Sequence, residues 1–599
     1  MKFLYSFGLV FGLILSGIDA SWSQSNIVIT GPTSATPGTY NLFVGTFTAS
    51  TNTAGSKNVS IGNSSGNGNT SGSENTFVGH QAGYLNTIGN DNAYVGTYAG
   101  GFNGKGSNNA FLGAQAGSLN TDSYSNVFVG YKAGMYNTGG CSNVLVGSQA
   151  GTGLFQQSIG NNNVMIGDSA GLFQNGANGN VFVGSKSGYT NSTGIDNVFI
   201  GRSAGFNNRT GSSNTLMGAS AGNNNNGFGN SFFGSRSGNL TSSGNGNSFF
   251  GELAGSQNQS GMWNSSIGYR AGLKNVVGSR NVVIGDSAGF NNMVSGNVMV
   301  GSTAGYTNQT GAKNTYLGYQ SGYNAVADSN TFVGYKSGFS TTTGKGNTFF
   351  GSVSGRDVTT GSHNTIVGNG AGTANGNGDD NVYIGYTTGQ RDSGSRNTFV
   401  GMGADALAQN LTNATAIGAG AIVSVSDAVI LGKDANIGIG TNAPTARLHI
   451  RSERPGKSGL RLENLTSNSL VTTKTDKVLT VNERGEVLLA RPATGKLFVT
   501  NKADWADRVF EPGYALRPLK EVKQYVTENK HLPNILSADE VVKEGYDAAT
   551  MDAHLLEKIE ETMLYVIQLK EEVNVLRRQN TRLKCALQQL KKERKVTVY

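Results

Sequence analysis

The chain is poor in the residues on which most enzyme sites and disulfide-linked folds depend. Its 599 residues include only 2 cysteines, 5 histidines and 8 prolines. The separate cysteines, Cys141 and Cys585, exclude a disulfide framework and a zinc site, and we expect both to be free thiols. Scattered histidines predict no metal cluster. With so little proline beside 89 glycines, the chain is neither collagen nor a Pro/Gly-rich disordered segment.

Charged residues and long apolar runs are scarce as well. Only 14% of the residues are charged, and residues 1–440 hold 18 Lys and Arg against 16 Asp and Glu. The basic excess lies in the C-terminal quarter, where it is mixed with acidic residues. It therefore predicts solvated helix faces rather than a nucleic-acid site. Beyond the N-terminal segment, no apolar run is long enough to predict a transmembrane helix.

Residues 1–23 have the pattern of a secretory signal peptide. Lys2 supplies the positive start, Phe3–Ile18 forms the apolar run, and small residues follow. Cleavage is expected near Ala20 or Ser23. The sequence therefore predicts an exported protein, located outside the cell or at the cell surface in association with the outer membrane.

What the sequence does contain is one motif, repeated 22 times between residues 41 and 405. The motif is N-x-aromatic-V-G-x-x-A-G, as in NTFVGHQAG from Asn75 and NVFVGYKAG from Asn126. The opening Asn recurs every 16 or 17 residues, with one step of 20. Gly follows four residues later in every copy and eight residues later in 20 of 22 copies. A fixed short period predicts stacked units that each contact mainly their neighbours.

Each repeat predicts one short strand. The second residue after the Asn is aromatic or large aliphatic in 20 of 22 copies, and the third is apolar in every copy. The seventh is usually small, as at Ala82 and Ala133. Short runs rich in Val, Ile and Phe between glycines predict strands, and the glycine content excludes a helix. For residues 24–440 we predict a parallel β-solenoid of about 22 coils, roughly 100 Å long at about 4.8 Å per coil.

The two adjacent apolar columns create a packing problem. Neighbouring residues on a strand point to opposite faces, so one column can fill the interior while the other has to lie outside. We expect an external aromatic ladder that needs a cover, because soluble monomers rarely expose so large an apolar stripe. Several copies lying side by side would provide that cover. The alternative is a flatter, two-layered coil that buries both columns within one chain.

Two later repeats bring a resemblance to known proteins. NATAIGAGA from Asn413 and DAVILGKDA from Asp427 are 14 residues apart. They resemble the head repeats of trimeric autotransporter adhesins, the YadA-like proteins, and the longer repeats resemble those of exported fibre-like proteins of Bacteroidetes. This resemblance implies a parallel homotrimer of β-rolls. NIGIGTNAPTARLHI, from Asn436, resembles the head-to-stalk junction of phage tail-fibre proteins. The membrane β-barrel that anchors YadA-like proteins has no counterpart in this sequence.

The region after the solenoid is predicted to change from strands to helices. Residues 441–500 predict a short β stalk, with a strand at Arg447–Ile450 and a hairpin from Lys477. Residues 501–550 predict a small helical module. This module includes a helix at residues 517–529 and, after it, a capping box formed by Ser537 and Glu540.

Residues 551–599 are predicted to form a coiled coil, because apolar residues recur at alternating steps of three and four. β-branched residues in one column, leucines in the other and a single Asn favour two strands. A β-roll head favours three, and we expect three because the long head buries more surface. The two columns are Ile559, Val566, Val573, Asn580 and Leu587, and Leu555, Thr562, Leu569, Leu576, Leu583 and Leu590.

The sequence predicts no catalytic, cofactor-binding or metal-binding residue. Its many G-x-G strings follow the repeat rather than a strand-to-helix phosphate turn. We therefore expect a non-enzymatic exported fibrous protein, a trimeric surface adhesin whose variable loops contact host or surface glycans or proteins. The alternative is a structural spike or tail-fibre-like subunit of a larger assembly. A weaker alternative is an ice- or polysaccharide-binding solenoid with a regular ladder of Thr or Asn.

Overall fold

The computed structural model describes residues 38–155, 157–454, 459–460, 478–481, 483, 487–490 and 506–596. The chain forms two compact units, Met1–Lys457 and Ser458–Tyr599. The predicted signal peptide, residues 1–23, lies outside the described residues.

The first unit is a parallel β-solenoid, as predicted. Each repeat contributes one short strand, and 24 strands join in a single sheet. These are the 22 predicted repeats together with the two 14-residue units. The strands are β1 (Leu42–Val44), β2 (Val59–Ile61), β3 (Thr76–Val78), β4 (Ala93–Val95), β5 (Ala110–Leu112), β6 (Val127–Val129), β7 (Val144–Val146), β8 (Val164–Ile166), β9 (Val181–Val183), β10 (Val198–Ile200), β11 (Thr215–Met217), β12 (Ser231–Phe233), β13 (Ser248–Phe250), β14 (Ser265–Ile267), β15 (Val282–Ile284), β16 (Val298–Val300), β17 (Thr315–Leu317), β18 (Thr331–Val333), β19 (Thr348–Phe350), β20 (Thr365–Val367), β21 (Val382–Ile384), β22 (Thr398–Val400), β24 (Thr415–Ile417) and β26 (Val429–Leu431).

The strands stack in register from one repeat to the next. Phe111 lies beside Phe128, and Val129 lies beside Val146, so each motif position forms a straight column along the sheet. Gly130 ends its strand with φ at +131°, and a Cβ there would stand 2.4 Å from the carbonyl oxygen of Gly147. Only glycine fits this turn, which explains why glycine follows the opening Asn by four residues in every copy.

The interior of each coil holds the second residue of its strand, so our expectation of an external aromatic ladder is wrong. Phe111 and Phe128 are buried, and their ring centroids lie 4.6 Å apart with an interplanar angle of 5°. The aromatic column is therefore a stack inside a single chain. In a three-residue strand only the middle side chain points inward. The two-layered alternative is wrong as well, because the third strand residue stays on the outside.

Two columns of buried asparagine side chains form hydrogen bonds with backbone groups inside the coils. Asn75 donates from Nδ2 to the carbonyl of Gly89 at 2.8 Å, and its Oδ1 accepts from the backbone N–H of Asn92 at 3.0 Å. Asn86, eleven residues after the opening Asn, donates from Nδ2 to the same Gly89 carbonyl at 3.0 Å. A buried polar group without a partner costs about 1–3 kcal/mol, so these bonds explain the Asn that opens each copy.

Short strand pairs occupy the end of the first unit and the start of the second. Strands β23 (Asp405–Ala406) and β25 (Ile422–Val423) pair in parallel, as do β27 (Ile437–Ile439) and β28 (Leu448–Ile450). The predicted hairpin is present as the antiparallel strands β29 (Val478–Val481) and β30 (Val487–Ala490). The β stalk as a whole remains a prediction, because much of residues 455–500 lies outside the described residues.

The rest of the second unit is helical. A 3-10 helix (Ala506–Phe510) precedes α1 (Leu519–Asn529), α2 (Ala538–Glu544) and the 49-residue α3 (Ala548–Val596). The predicted capping box is confirmed, since the backbone N–H of Glu540 donates to the Ser537 hydroxyl and the Glu540 carboxylate accepts from the Ser537 N–H. The coiled coil remains a prediction, because α3 is seen as a single helix.

Candidate interaction surfaces

The first candidate surface is the outer strand face, which consists of the first and third residues of each strand in the 24-stranded sheet. The third residue is apolar in all 22 predicted repeats, and several of these side chains are well exposed. Leu112 is 51% exposed and Phe350 57% exposed. The in-register stacking of the strands aligns them in one continuous apolar column. The sequence correctly predicted an external apolar column but assigned it to the wrong strand position.

Apart from the outer edges of the end strands β1 and β26, the backbone of the outer strand face is already paired within the sheet. Each strand bonds to the next along its length; for example, the Val127 N–H donates to the carbonyl of Asn143 at 2.8 Å. The Gly130 N–H donates back to the carbonyl of Leu112 at 2.8 Å. A partner on this face therefore contacts side chains rather than adding a strand, and apolar burial supplies the attraction.

The second candidate surface is the heptad seam of α3, the two apolar columns predicted from the sequence. Leu569 is 57%, Leu576 60% and Leu583 65% exposed in the single chain. A helix with such a seam gains most of its stability from packing against another helix. The seam is thus an apolar surface that the described residues of one chain leave without a cover.

A groove of about 570 Å³ opens beside the N-terminal half of the seam. Its apolar walls come from α1, from the segment that follows α1, and from α3, through Leu519, Val522, Leu532, Val566 and Leu569. The apolar side of α1 that the sequence predicted has no fully buried residue. The groove therefore widens the apolar surface around the seam.

A network of charged side chains fixes the 3-10 helix and the segment after it against α3. Arg508 donates to the Glu557 carboxylate at 2.6 Å, and Lys558 lies 2.8 Å from a Glu561 oxygen. Burial raises the pKa of Glu557, but the hydrogen bond from Arg508 and the charge of Lys558 outweigh it, and the net pKa is lowered. Burial, together with the two carboxylates, raises the pKa of Tyr514. Each charge has an opposite partner, as a structural network requires.

Sequence reasoning missed a third feature, which we name the aromatic stack. It consists of Phe290, Tyr306, Tyr323 and Phe339, which lie nine residues after the opening Asn in four successive repeats. Their ring centroids are 5.1, 5.2 and 5.3 Å apart. The signal was present in the sequence as an aromatic residue recurring at one motif position, outside the columns that define the strand.

The described residues offer little to support metal chemistry or a membrane span. Among them, no three His, Cys, Asp or Glu side chains lie close enough together to hold a metal ion. No helix in the described part of the chain has the length and apolar character needed to cross a bilayer. Cys141 is half-buried and Cys585 exposed, and the two do not pair with each other within the chain.

Comparison with known proteins assigns the chain to no family. No known protein family matches it, and no curated protein shows significant similarity to it. The resemblance to YadA-like and tail-fibre-like repeats therefore remains a prediction from the sequence motifs.

Proposed function

We propose that this protein is a non-enzymatic, self-associating fibre that acts as a surface adhesin, with three parallel copies packed through their outer strand faces. One observation carries the proposal, namely the continuous apolar column that a single chain leaves exposed on this face. Soluble proteins cover apolar stripes of this size with a partner. A second copy of the same chain is the natural partner, because its column has the same coil spacing.

The heptad seam of α3 supports the same arrangement independently. Each copy in such an assembly also contributes one α3 helix, and the seams of these helices can pack together. The number three follows from the resemblance to YadA-like heads. The β-branched residues and Asn580 of the seam favour two on their own.

Attachment of the fibre to a surface is explained by the repetition of its loops. A rigid solenoid presents its loops at each coil, and three copies present each loop three times. Weak contacts repeated in this way combine into high avidity without a single strong site. The export signal predicted at residues 1–23 supports a location outside the cell, where such a fibre can contact a surface.

A structural spike within a larger assembly is the second candidate. It is favoured by the junction at β27 and β28, whose sequence resembles that of tail-fibre proteins. Affinity purification of the chain from intact cells separates the two functions. An adhesin is recovered with copies of itself alone, and a spike is recovered with stoichiometric partner subunits.

The test of the adhesin uses charge placed on the outer strand face. We expect the double variant Leu112→Lys/Phe350→Lys to keep its solenoid, because both positions are exposed in one chain, but to lose self-association, since association would bury both ammonium groups. Attachment of protein-coated beads to mucin-coated plates should fall with it. Ser243→Lys/Gln309→Lys adds the same charge at exposed loop positions and should change neither property.

The circular dichroism of both double variants is measured to verify that the solenoid is folded. A folded Leu112→Lys/Phe350→Lys protein that keeps its wild-type mass would contradict packing through the outer strand face. A multimeric wild-type protein whose beads never attach would contradict the adhesin and favour the spike.

A further inference from the structure

The aromatic stack lies on the side of the coil opposite the outer strand face. In the same coil as Phe339, a Cβ added at Gly338 would stand 2.5 Å from the ring of Phe332, which fills the interior from the strand side. The segment that carries the stack thus packs across the core from the strand. If sister copies cover the outer strand face, the stack remains on the outside of the assembly.

The ring faces of the stack are already covered. Neighbouring rings cover the internal faces at spacings near 5 Å. At one end the Lys274 ammonium lies 5.2 Å from the Phe290 centroid, and at the other the Lys336 ammonium lies 5.6 Å from that of Phe339. The stack presents ring edges, which carry partial positive charge, and these two ammonium groups.

The surroundings of the stack are also the basic part of the solenoid. Residues 264–357 hold seven Lys and Arg against three Asp, whereas the rest of residues 1–440 holds 11 basic and 13 acidic residues. On the side of the coil with the stack, Arg270, Lys274 and Lys336 form no ion pair with a described carboxylate. Acidic residues adjoin Arg270 at one motif position in the coils on either side, Glu252, whose backbone carbonyl accepts from the Arg270 N–H at 3.0 Å, and Asp286, but neither forms an ion pair with it. Arg356 is neutralised by Asp357 at 2.6 Å.

We propose that the aromatic stack and its cations, Arg270, Lys274 and Lys336, form a binding site for an acidic polysaccharide that runs along the solenoid. This inference rests on the proposed adhesin function and names its ligand class. The carboxylate or sulfate groups of the ligand contact the cations, and its sugar hydroxyls contact the ring edges and the hydroxyls of Tyr306 and Tyr323. An extended sugar chain advances per residue by about one coil, so the contacts repeat in step.

Because the ring faces are covered, the stack does not suit two other classes of ligand, single-stranded nucleic acids and neutral sugars. Single-stranded nucleic acids bind by stacking their bases on free aromatic faces, and a neutral sugar uses the same faces for its C–H groups. The stack offers neither ligand such a face. Its positive edges and cations favour an anion, and surface electrostatics of this kind weaken with salt.

The test measures binding of the full chain to immobilised alginate and dextran sulfate, with neutral dextran and oligo-dT as comparisons. Alginate distinguishes carboxylate recognition from the sulfate recognition reported by dextran sulfate. We expect binding to at least one of the two acidic polymers, weakening as salt rises. The triple variant Arg270→Gln/Lys274→Gln/Lys336→Gln should bind about tenfold more weakly.

The matched control is Lys105→Gln/Lys132→Gln/Arg236→Gln, which removes the same charge from the solenoid away from the stack. Lys132 is a close counterpart of Lys336, since the Lys132 ammonium lies 5.0 Å from the ring centroid of Tyr131 and the Lys336 ammonium lies 5.3 Å from that of Tyr335. The control should change affinity by less than about twofold. An equal loss in both triple variants, or binding to neutral dextran or oligo-dT as tight as to the acidic polymers, would overturn the proposal.

The outcomes for the ligand and for the proposed function are separable. A multimeric protein that binds neither acidic polymer refutes the polysaccharide site and leaves self-association standing. A monomeric protein whose binding depends on the three cations refutes the trimer and supports the site.

Discussion

The solenoid and the helical unit differ in whether one chain completes their packing. Nearly every coil buries a large side chain such as Phe128 or Tyr94 without help from another molecule. In the described part of the helical unit, the buried apolar residues are Val509 and Pro533, and leucines along α3 stay exposed. A repeat therefore obtains its packing partner from the next repeat, whereas the apolar seam of α3 has no cover among the described residues of one chain.

The reason lies in the local chemistry of each region. In the solenoid, the two asparagine columns and the coil-to-coil backbone bonds satisfy most of the polar groups that the core encloses. Among the described residues, exceptions include Asn191 Oδ1 and the Tyr316 hydroxyl, which are buried without a hydrogen-bond partner. The helical unit instead buries charges, with Glu557 and Lys558 in its interior. A buried ion network adds little stability over apolar packing. The helical unit is thus the part whose stability should depend on protein concentration.

The largest effect is expected for a substitution that disrupts a turn of the solenoid. Gly130→Ala would force φ of +131° on a residue with a Cβ and place that Cβ against the carbonyl of Gly147. We expect local opening of the adjoining coils to become easier by about 4 kcal/mol or more, at any protein concentration. Hydrogen exchange of the amides in β5 to β7 measures it.

Gly139→Ala is the control for this turn, because it lies in the same coil with open space around its Cα and no positive φ. Its exchange pattern should match the wild type. Equal protection of the β5 to β7 amides in the two variants would show that the geometry of this turn does not determine the stability of the coil.

The second-largest effect is expected for a substitution that removes one aromatic ring from the interior of the solenoid. Phe128→Ala leaves a cavity beside Phe111 and Leu145, and we expect it to cost about 3–5 kcal/mol of local stability. Because the core is complete in one chain, diluting the protein should not change this cost. A loss that grows on dilution would show that sister copies complete the coil and would remove the contrast with α3.

A smaller effect is expected in the helical unit. Glu557→Gln removes the carboxylate that pairs with Arg508, and we expect a loss of about 2 kcal/mol, since Arg508 is half exposed. Thermal melting of the helix signal at several protein concentrations measures it. The loss should be largest in dilute solution, where α3 is not supported by association.

The same carboxylate gives the helical unit a pH dependence. The pKa of Glu557 is lowered in the folded state, so its stabilising contribution is complete above the ordinary pKa of about 4.3 and is lost as the pH falls through the lowered value. The Glu557→Gln variant should lack this part of the acid transition. An unchanged acid transition would show that other carboxylates control it.

The smallest effect is expected for a substitution that increases the stability of the solenoid. Val353 adopts φ of +50°, a left-handed conformation that is strained for a β-branched residue, and the next coil has Gly370 at the same motif position. Val353→Asn should relieve strain and stabilise the coil by about 1 kcal/mol. Ser352→Asn, at an ordinary φ, is the control and should stay within about 0.5 kcal/mol. Hydrogen exchange of β19 and β20 compares them.

The solenoid was largely predictable from the sequence because its physics is local and repeated. Gly130 and its equivalents mark the end of each strand, and the period fixes the stacking. The heptad residues and the Ser537–Glu540 box likewise located helices that the structure contains. The second asparagine column, which includes Asn86, was visible as a recurrence but was not recognised.

The side-chain direction was not predictable with the same certainty. Phe128 and Val129 are both apolar, and hydrophobicity alone does not say which of them points inward. The deciding feature is steric and lies elsewhere in the repeat, where Gly134 leaves room for a flat ring. The aromatic stack was missed because its side chains belong to turns, whose residues vary between most repeats.

The most direct test of the whole account is the mass of the full chain in solution, measured by sedimentation equilibrium at micromolar concentration. The outer strand face and the heptad seam predict self-association, and the resemblance to YadA-like heads sets the expected mass at three copies of the 62.3 kDa chain, reduced by the mass of any cleaved signal peptide. A stable species with the mass of one chain would contradict the account, because both apolar surfaces would then be exposed to water without consequence.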